Sequence, residues 1–180
     1  MNTRQNAINK IEEFLVSEKK IALVTGTHQY NKHKLVMAIL DNRYKDKVIL
    51  FRTSSLDNLT NNDFLGFADV KTKPKAGAQI KIHNNYYQID NFNRKDTWSK
   101  TSAKADFAIV YPIDALIRNN NFDSIENLIK NKNIGKIFLV SWMDNDIASE
   151  ELRKLYSNHV IYDAEEEDPS YHSRVLMSLR

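Results

Sequence analysis

Three stretches of this 180-residue chain hold residues whose types and spacing could do chemistry, and each implies a different partner. The first is Gly26-Thr27-His28-Gln29-Tyr30-Asn31-Lys32-His33, which stands between a short apolar run, Ile21 to Val24, and a helix-like pattern at Leu35, Val36, Ile39 and Leu40. Peptide N–H groups at the start of a helix, joined by a lysine in its first turn, can hold a phosphate group. The bland alternative is a tight strand-to-helix turn at Gly26 with Lys32 solvated.

The second stretch runs from Lys71 to Lys104. It holds eight basic and two acidic residues, a local charge of +6 that leaves −3 for the rest of a +3 chain. Lys71, Lys73, Lys75, Arg94, Lys95 and Lys100 alternate with Tyr86, Tyr87, Phe92 and Trp98. Cations along phosphates and rings against bases are what a single-stranded nucleic-acid surface uses. Against this, alternate residues of a hairpin point to opposite faces, so some of these rings must enter the core. In the third stretch, Asp114, Asp144, Asp146, Asp163 and Glu165 to Glu167 follow strand-like runs. Such a rim would repel a bare phosphate; it could hold Mg²⁺ or Ca²⁺ through oxygens, or attract a basic partner. The simpler reading of Glu165 to Asp168 is a solvated acidic loop ahead of Pro169 that favours the start of a last helix.

Gly26, Lys32 and the residue after it fall at the spacing of the phosphate-loop signature G-x-x-x-x-G-K-[ST], and a strand precedes the loop and a helix follows it. The segment therefore resembles P-loop nucleoside triphosphatases with a degenerate Walker A motif, over about 20 residues. The resemblance implies ATP or GTP as ligand and cofactor-binding roles for Gly26, Thr27, His28, Asn31, Lys32 and His33. Two positions depart from the pattern. Asn31 replaces the second glycine, although asparagine is the non-glycine residue that best tolerates a left-handed backbone. His33 replaces the hydroxyl residue that coordinates Mg²⁺ in the family, and imidazole is a poor ligand for that hard cation. Tyr111 stands where the family carries an acidic residue at a strand end; Asp114, three residues on, is the nearest carboxylate able to reach the same edge, and Asp106 opens that strand at the wrong end.

These residues need a scaffold, and the pattern predicts a single α/β domain over residues 1–180: a mostly parallel sheet flanked by helices, P-loop NTPase-like, with an inserted β-hairpin. Ile8, Ile11, Phe14 and Leu15 mark a first helix; Ile21 to Val24 and Val48 to Phe51 mark strands that bracket the helix of Leu35 to Leu40 as a βαβ unit. Gln79 to Ile82 and Tyr86 to Ile89 read as a hairpin turning at His83-Asn84-Asn85, with Lys71 to Gly77 an exposed loop before it. Phe107 to Tyr111, Ile137 to Val140 and Val160 to Tyr162 are further strands, Ile125 to Ile129 and Leu152 to Leu155 further helices, and Gly135 precedes the strand at Ile137. Ligands of such a sheet bind beyond the carboxyl ends of its strands, here after Thr25, at Arg52 to Ser55, at Asp114, at Ser141 to Asp146 and at Asp163 to Asp168.

Composition excludes other classes. With no cysteine there is neither a disulfide framework nor thiol catalysis, and the five histidines show no H-E-x-x-H spacing. Ser141 lacks the glycines of a nucleophile elbow. The first ten residues are polar and no apolar run is long enough to span a bilayer, so a cytoplasmic protein without membrane contact is expected. The leading expectation is a P-loop-like domain that does not hydrolyse nucleotide and acts as a regulatory or assembly component, with Gly26 to Lys32 still able to bind a nucleotide or phosphate. The runners-up are a nucleic-acid module using residues 71–104 and a nucleotide-dependent enzyme with Asp114 as an unusual metal ligand. No metal ligand set is assigned.

Overall fold

The computed structural model describes residues 1–144 and 147–179. Among them one sheet of seven strands forms: β1 (Ile21–Thr25), β2 (Val48–Thr53), β3 (Gln79–Ile82), β4 (Asn85–Asn91), β5 (Lys104–Tyr111), β6 (Asn133–Val140) and β7 (Asn158–Ile161), in the spatial order β3-β4-β2-β5-β6-β1-β7. Every pairing is parallel except β3 with β4. The helices are α1 (Arg4–Val16), α2 (Lys32–Arg43), α3 (Ile113–Arg118), α4 (Phe122–Lys130), α5 (Glu150–Arg153) and α6 (Pro169–Ser178).

Strand alternation divides the interior into two layers. Phe107, Ile109 and Tyr111 of β5 face the layer that holds Ile11 and Phe14 of α1 and Leu35, Val36 and Leu40 of α2. Ala108 and Val110 face the opposite layer with Leu116 of α3 and Ile125 and Leu128 of α4. A strand covered on both faces must be apolar at consecutive positions, which is why these strands read as short unbroken hydrophobic runs.

The topology corrects several local expectations. β1 and β2 are joined through α2 but are not neighbours, because β6 and β5 lie between them. The hairpin turn is the two residues His83 and Asn84, with His83 at φ +52°, and Asn85 already pairs with Ile82. Gly135 lies within β6 rather than before it; a Cβ there would run into the Asp106 carbonyl. The helix expected at Leu152 to Leu155 is one turn, Glu150–Arg153, with Leu155 beyond its end. Arg52 lies inside β2 and is fully buried, not on the ligand edge: its guanidinium grips Asp90 of β4 through two bonds of 2.7 and 2.8 Å and donates to the Ser124 carbonyl at 2.7 Å. Its partners neutralise it inside the protein, and one of them is an acid of the basic segment.

The chain leaves β1 for β2, fills in β5 and β6, and then places β7 on the far side of β1. The switch point therefore lies where the carboxyl ends of β1 and β6 meet, the position at which such sheets bind ligands.

Candidate functional site

The loop after β1 and the segment after β6 converge at that switch point. Gly26 has φ +124°, a backbone that L side chains rarely adopt, and a Cβ there would collide with the Tyr162 backbone just past β7. Only glycine fits both demands. Five of the loop's amides are then taken up within the protein. Gly26 donates to a carboxylate oxygen of Asp144 at 2.8 Å, Thr27 to Asp163 at 2.9 Å and His28 to the Tyr162 carbonyl at 3.3 Å, while Gln29 and Asn31 donate to carbonyls of the loop itself.

Lys32 is not the solvated residue of the bland reading. It is fully buried, with Nζ donating to the Gly26 carbonyl and, at 3.0 Å, to that of Trp142; the nearest Asp144 oxygen is 3.6 Å away. Burial lowers its pKa, and the charges of Asp144, Asp114 and Asp163 oppose that lowering. Three acidic residues therefore surround one ammonium.

Asp114 is brought to this edge by α3. Its carboxylate accepts the backbone N–H groups of Trp142 and Met143, and burial raises its pKa while the Trp142 bond and Lys32 pull it down. Ser141 donates to Asp144. Among the acidic residues of the predicted rim, Asp114, Asp144 and Asp163 thus form the inner lining, and Asp146 lies outside the described residues. Glu167 is bonded to His28 Nε2 at 2.7 Å and to the Tyr162 hydroxyl at 2.9 Å, while Asp168 caps α6 through the Tyr171 N–H, with Pro169 in the first turn. His172 and the Ala164 N–H both meet the Thr27 hydroxyl, at 2.7 and 3.0 Å.

His33 and Tyr111 occupy the two positions where the resemblance puts a hydroxyl and an acid for Mg²⁺. Both are buried, and their rings stack with centroids 4.1 Å apart and 19° between planes. His33 Nε2 donates to the Phe64 carbonyl at 2.7 Å and the Tyr111 hydroxyl to that of Asp63 at 2.9 Å. The pair anchors the turn-rich segment 56–69, whose Leu59 and Leu65 are buried in the core. Burial drives the His33 pKa down to about 3, so at neutral pH the ring is uncharged, with Nδ1 buried and unbonded. Neither ring offers the hard oxygen pair Mg²⁺ prefers. Asn31 sits at the helix start with φ −114°, outside the left-handed region.

The basic segment is arranged differently. Tyr87, Phe92 and Trp98 are buried, Trp98 with Nε1 on the Asn91 carbonyl at 2.9 Å and the Arg52 guanidinium over its ring. Lys71 pairs with Asp69, Lys73 with Asp57, Lys95 with Asp123, and Arg94 and Lys100 with Asp96; Lys75 is exposed in the loop. The sequence showed the cations but not the partners of Lys71, Lys73 and Lys95, because Asp69, Asp57 and Asp123 lie outside the segment.

What the sequence reading missed is the way the loop is closed. Asp144 and Asp163 were visible as carboxylates at strand ends, and that placement was the available signal; the Trp142 carbonyl and the Asp63–Phe64 backbone carry none.

No family model matches the chain, and no curated protein matches it by sequence. Among solved structures, the large terminase of a thermophilic bacteriophage is similar with a TM-score of 0.58 at 8% identity, over 96% of this chain and 48% of that one. A second structure of that terminase, in complex with ADP, gives a TM-score of 0.53 at 8% identity, over 87% and 44%. The chain spans about half the length of the terminase it matches, and among the described residues no helix is long and apolar enough to cross a membrane. At this level of identity the likeness is one of fold: the chain has a P-loop NTPase-like fold, a mostly parallel sheet flanked by helices.

Proposed function

We propose that this chain is a P-loop-like domain that does not hydrolyse nucleotide and works as a regulatory or assembly component. The observation that carries the reading is the closed loop: Asp144 and Asp163 accept the Gly26 and Thr27 amides, and the Lys32 ammonium is taken up by two backbone carbonyls. A phosphate entering here would have to displace two carboxylates and face a third, Asp114, across a lysine that is already compensated. The stacked His33 and Tyr111 rings, in place of a hydroxyl and a carboxylate, support the loss of metal-assisted hydrolysis. A role through contact is supported by Tyr30 and Trp142, whose exposed rings lie 6.3 Å apart on the same edge, with Trp142 following β6 and Tyr30 in the loop.

Isothermal titration with ATP, ADP and GTP at millimolar concentration, with and without Mg²⁺, tests the nucleotide part of this reading alongside a phosphate-release assay. The expected result is dilution heat only and no release above the buffer rate. Turnover that Lys32→Met abolishes would overturn the loss of hydrolysis, and micromolar binding would overturn the closed loop.

A further inference from the structure

We propose that the edge of the sheet opposite the loop, carrying Lys19, Lys20, Lys104, Lys132 and Lys136, docks the phosphate backbone of duplex nucleic acid. This goes beyond the nucleotide question and does not depend on its answer. The topology gathers these lysines: Lys19 and Lys20 lead into β1, Lys104 opens β5, Lys132 precedes β6 and Lys136 lies near its start. They are contiguous. The Ile137 N–H donates to the Lys20 carbonyl at 2.9 Å, Lys136 Nζ to that of Lys19 at 2.7 Å, and Lys104 is in register with Asn133, whose N–H reaches the Ala103 carbonyl at 2.7 Å. Lys20 and Lys132 line one recess of about 240 Å³.

The charges here are not cancelled. Among the described residues none of the five is within ion-pair distance of a carboxylate, whereas Lys71, Lys73, Arg94, Lys95 and Lys100 of the basic segment all are. Lys132 and Lys136 are held instead by neutral carbonyls, of Thr101 and Ser102 and of Ser17 and Lys19, which fix the ammonium groups without neutralising them. The proximity of Lys20 adds to burial in lowering the Lys136 pKa, with Glu18 acting the other way, as expected where like charges meet. Lysines that complement helix dipoles would sit on last helical turns; Lys104 and Lys136 sit on strands.

Strands about 4.8 Å apart spread the row from β5 to β1 over about 10 Å, the axial rise of about three phosphates on one strand of a duplex. The ring beneath the row, Phe14 under Lys136, is buried, so the edge presents cations and no exposed stacking platform. Contacts of this kind position a backbone and read no sequence.

Fluorescence anisotropy of a 20-base-pair DNA duplex over a salt series tests this. The triple variant Lys19→Glu, Lys20→Glu, Lys104→Glu changes exposed side chains, and its thermal unfolding checks that it folds. Each lost phosphate contact lowers the slope of log K against log salt by about 0.9, so the slope should fall by between about 2 and 3 and affinity at low salt by at least tenfold. The control Lys71→Glu, Lys73→Glu, Lys75→Glu should cost less than about threefold by the same screened electrostatics. The proposal is overturned if the unmodified protein shows no salt-dependent duplex binding, if the control loses as much as the edge variant, or if a single strand or phosphatidylserine vesicles bind more tightly through the same lysines.

Discussion

Replacing Lys32 by methionine removes the ammonium while keeping most of the side-chain volume. In the folded protein Nζ satisfies the Gly26 and Trp142 carbonyls and is 3.6 Å from Asp144, and the side chain is fully buried. The substitution therefore strands two carbonyls and leaves the carboxylates of Asp144 and Asp114 without their cation. Breaking a buried pair from one side costs about 3–5 kcal/mol, because the remaining charge stays desolvated. For a chain of this size each kcal/mol is roughly 2–4 °C in Tm, so a fall on the order of 10 °C is expected. Urea unfolding followed by circular dichroism measures it as a lower midpoint at unchanged slope. Adding Asp144→Asn should restore part of the loss, giving a double-mutant coupling of at least about 1 kcal/mol. A change within about 0.5 kcal/mol, as for an exposed lysine, would refute the reasoning.

Gly26→Ala combines a left-handed backbone with a clash against the Tyr162 carbonyl, so it should cost at least about 2 kcal/mol in the same unfolding assay. His33 supplies a pH dependence. Its folded pKa of about 3 lies below the unfolded value of about 6.5, so the unfolded chain takes up the proton first and stability is lost as pH falls from about 6.5 towards 3. By pH 4.5 the loss is roughly 2–3 kcal/mol at about 1.4 kcal/mol per unit, and the stability–pH profile of His33→Phe should be shallower by that amount across the window. Arg52→Met strands the buried Asp90 carboxylate and should cost about 3–5 kcal/mol, read as a lower urea midpoint.

The layers of the fold were legible because strands covered on both faces, such as Phe107 to Tyr111, announce themselves as continuous apolar runs, and because α1 repeats its apolar residues at helical spacing. The strand order was not legible: nothing local to β1 or β2 says that β5 and β6 will be inserted between them. Segment 56–69 was unreadable because it is built of turns without periodicity, and its anchors, the His33 and Tyr111 rings, each looked like the loss of a metal ligand. Only the fold brings them face to face. The loop itself was found from Gly26 and Lys32, yet the direction of the lysine depended on Trp142 and Asp144, more than a hundred residues away. In the basic segment, composition counted the charges correctly but could not show that Asp69, Asp57 and Asp123, all outside it, pair with Lys71, Lys73 and Lys95.

The closed loop is tested most directly by the backbone resonances of Gly26 and Thr27 in an NMR titration of the labelled protein with Mg²⁺ and ATP. With Asp144 and Asp163 holding both amides, the two resonances should stay in place to millimolar nucleotide and their hydrogens should exchange slowly. Saturable shifts at both positions, lost in Lys32→Met, would contradict the account by showing that phosphate displaces the carboxylates.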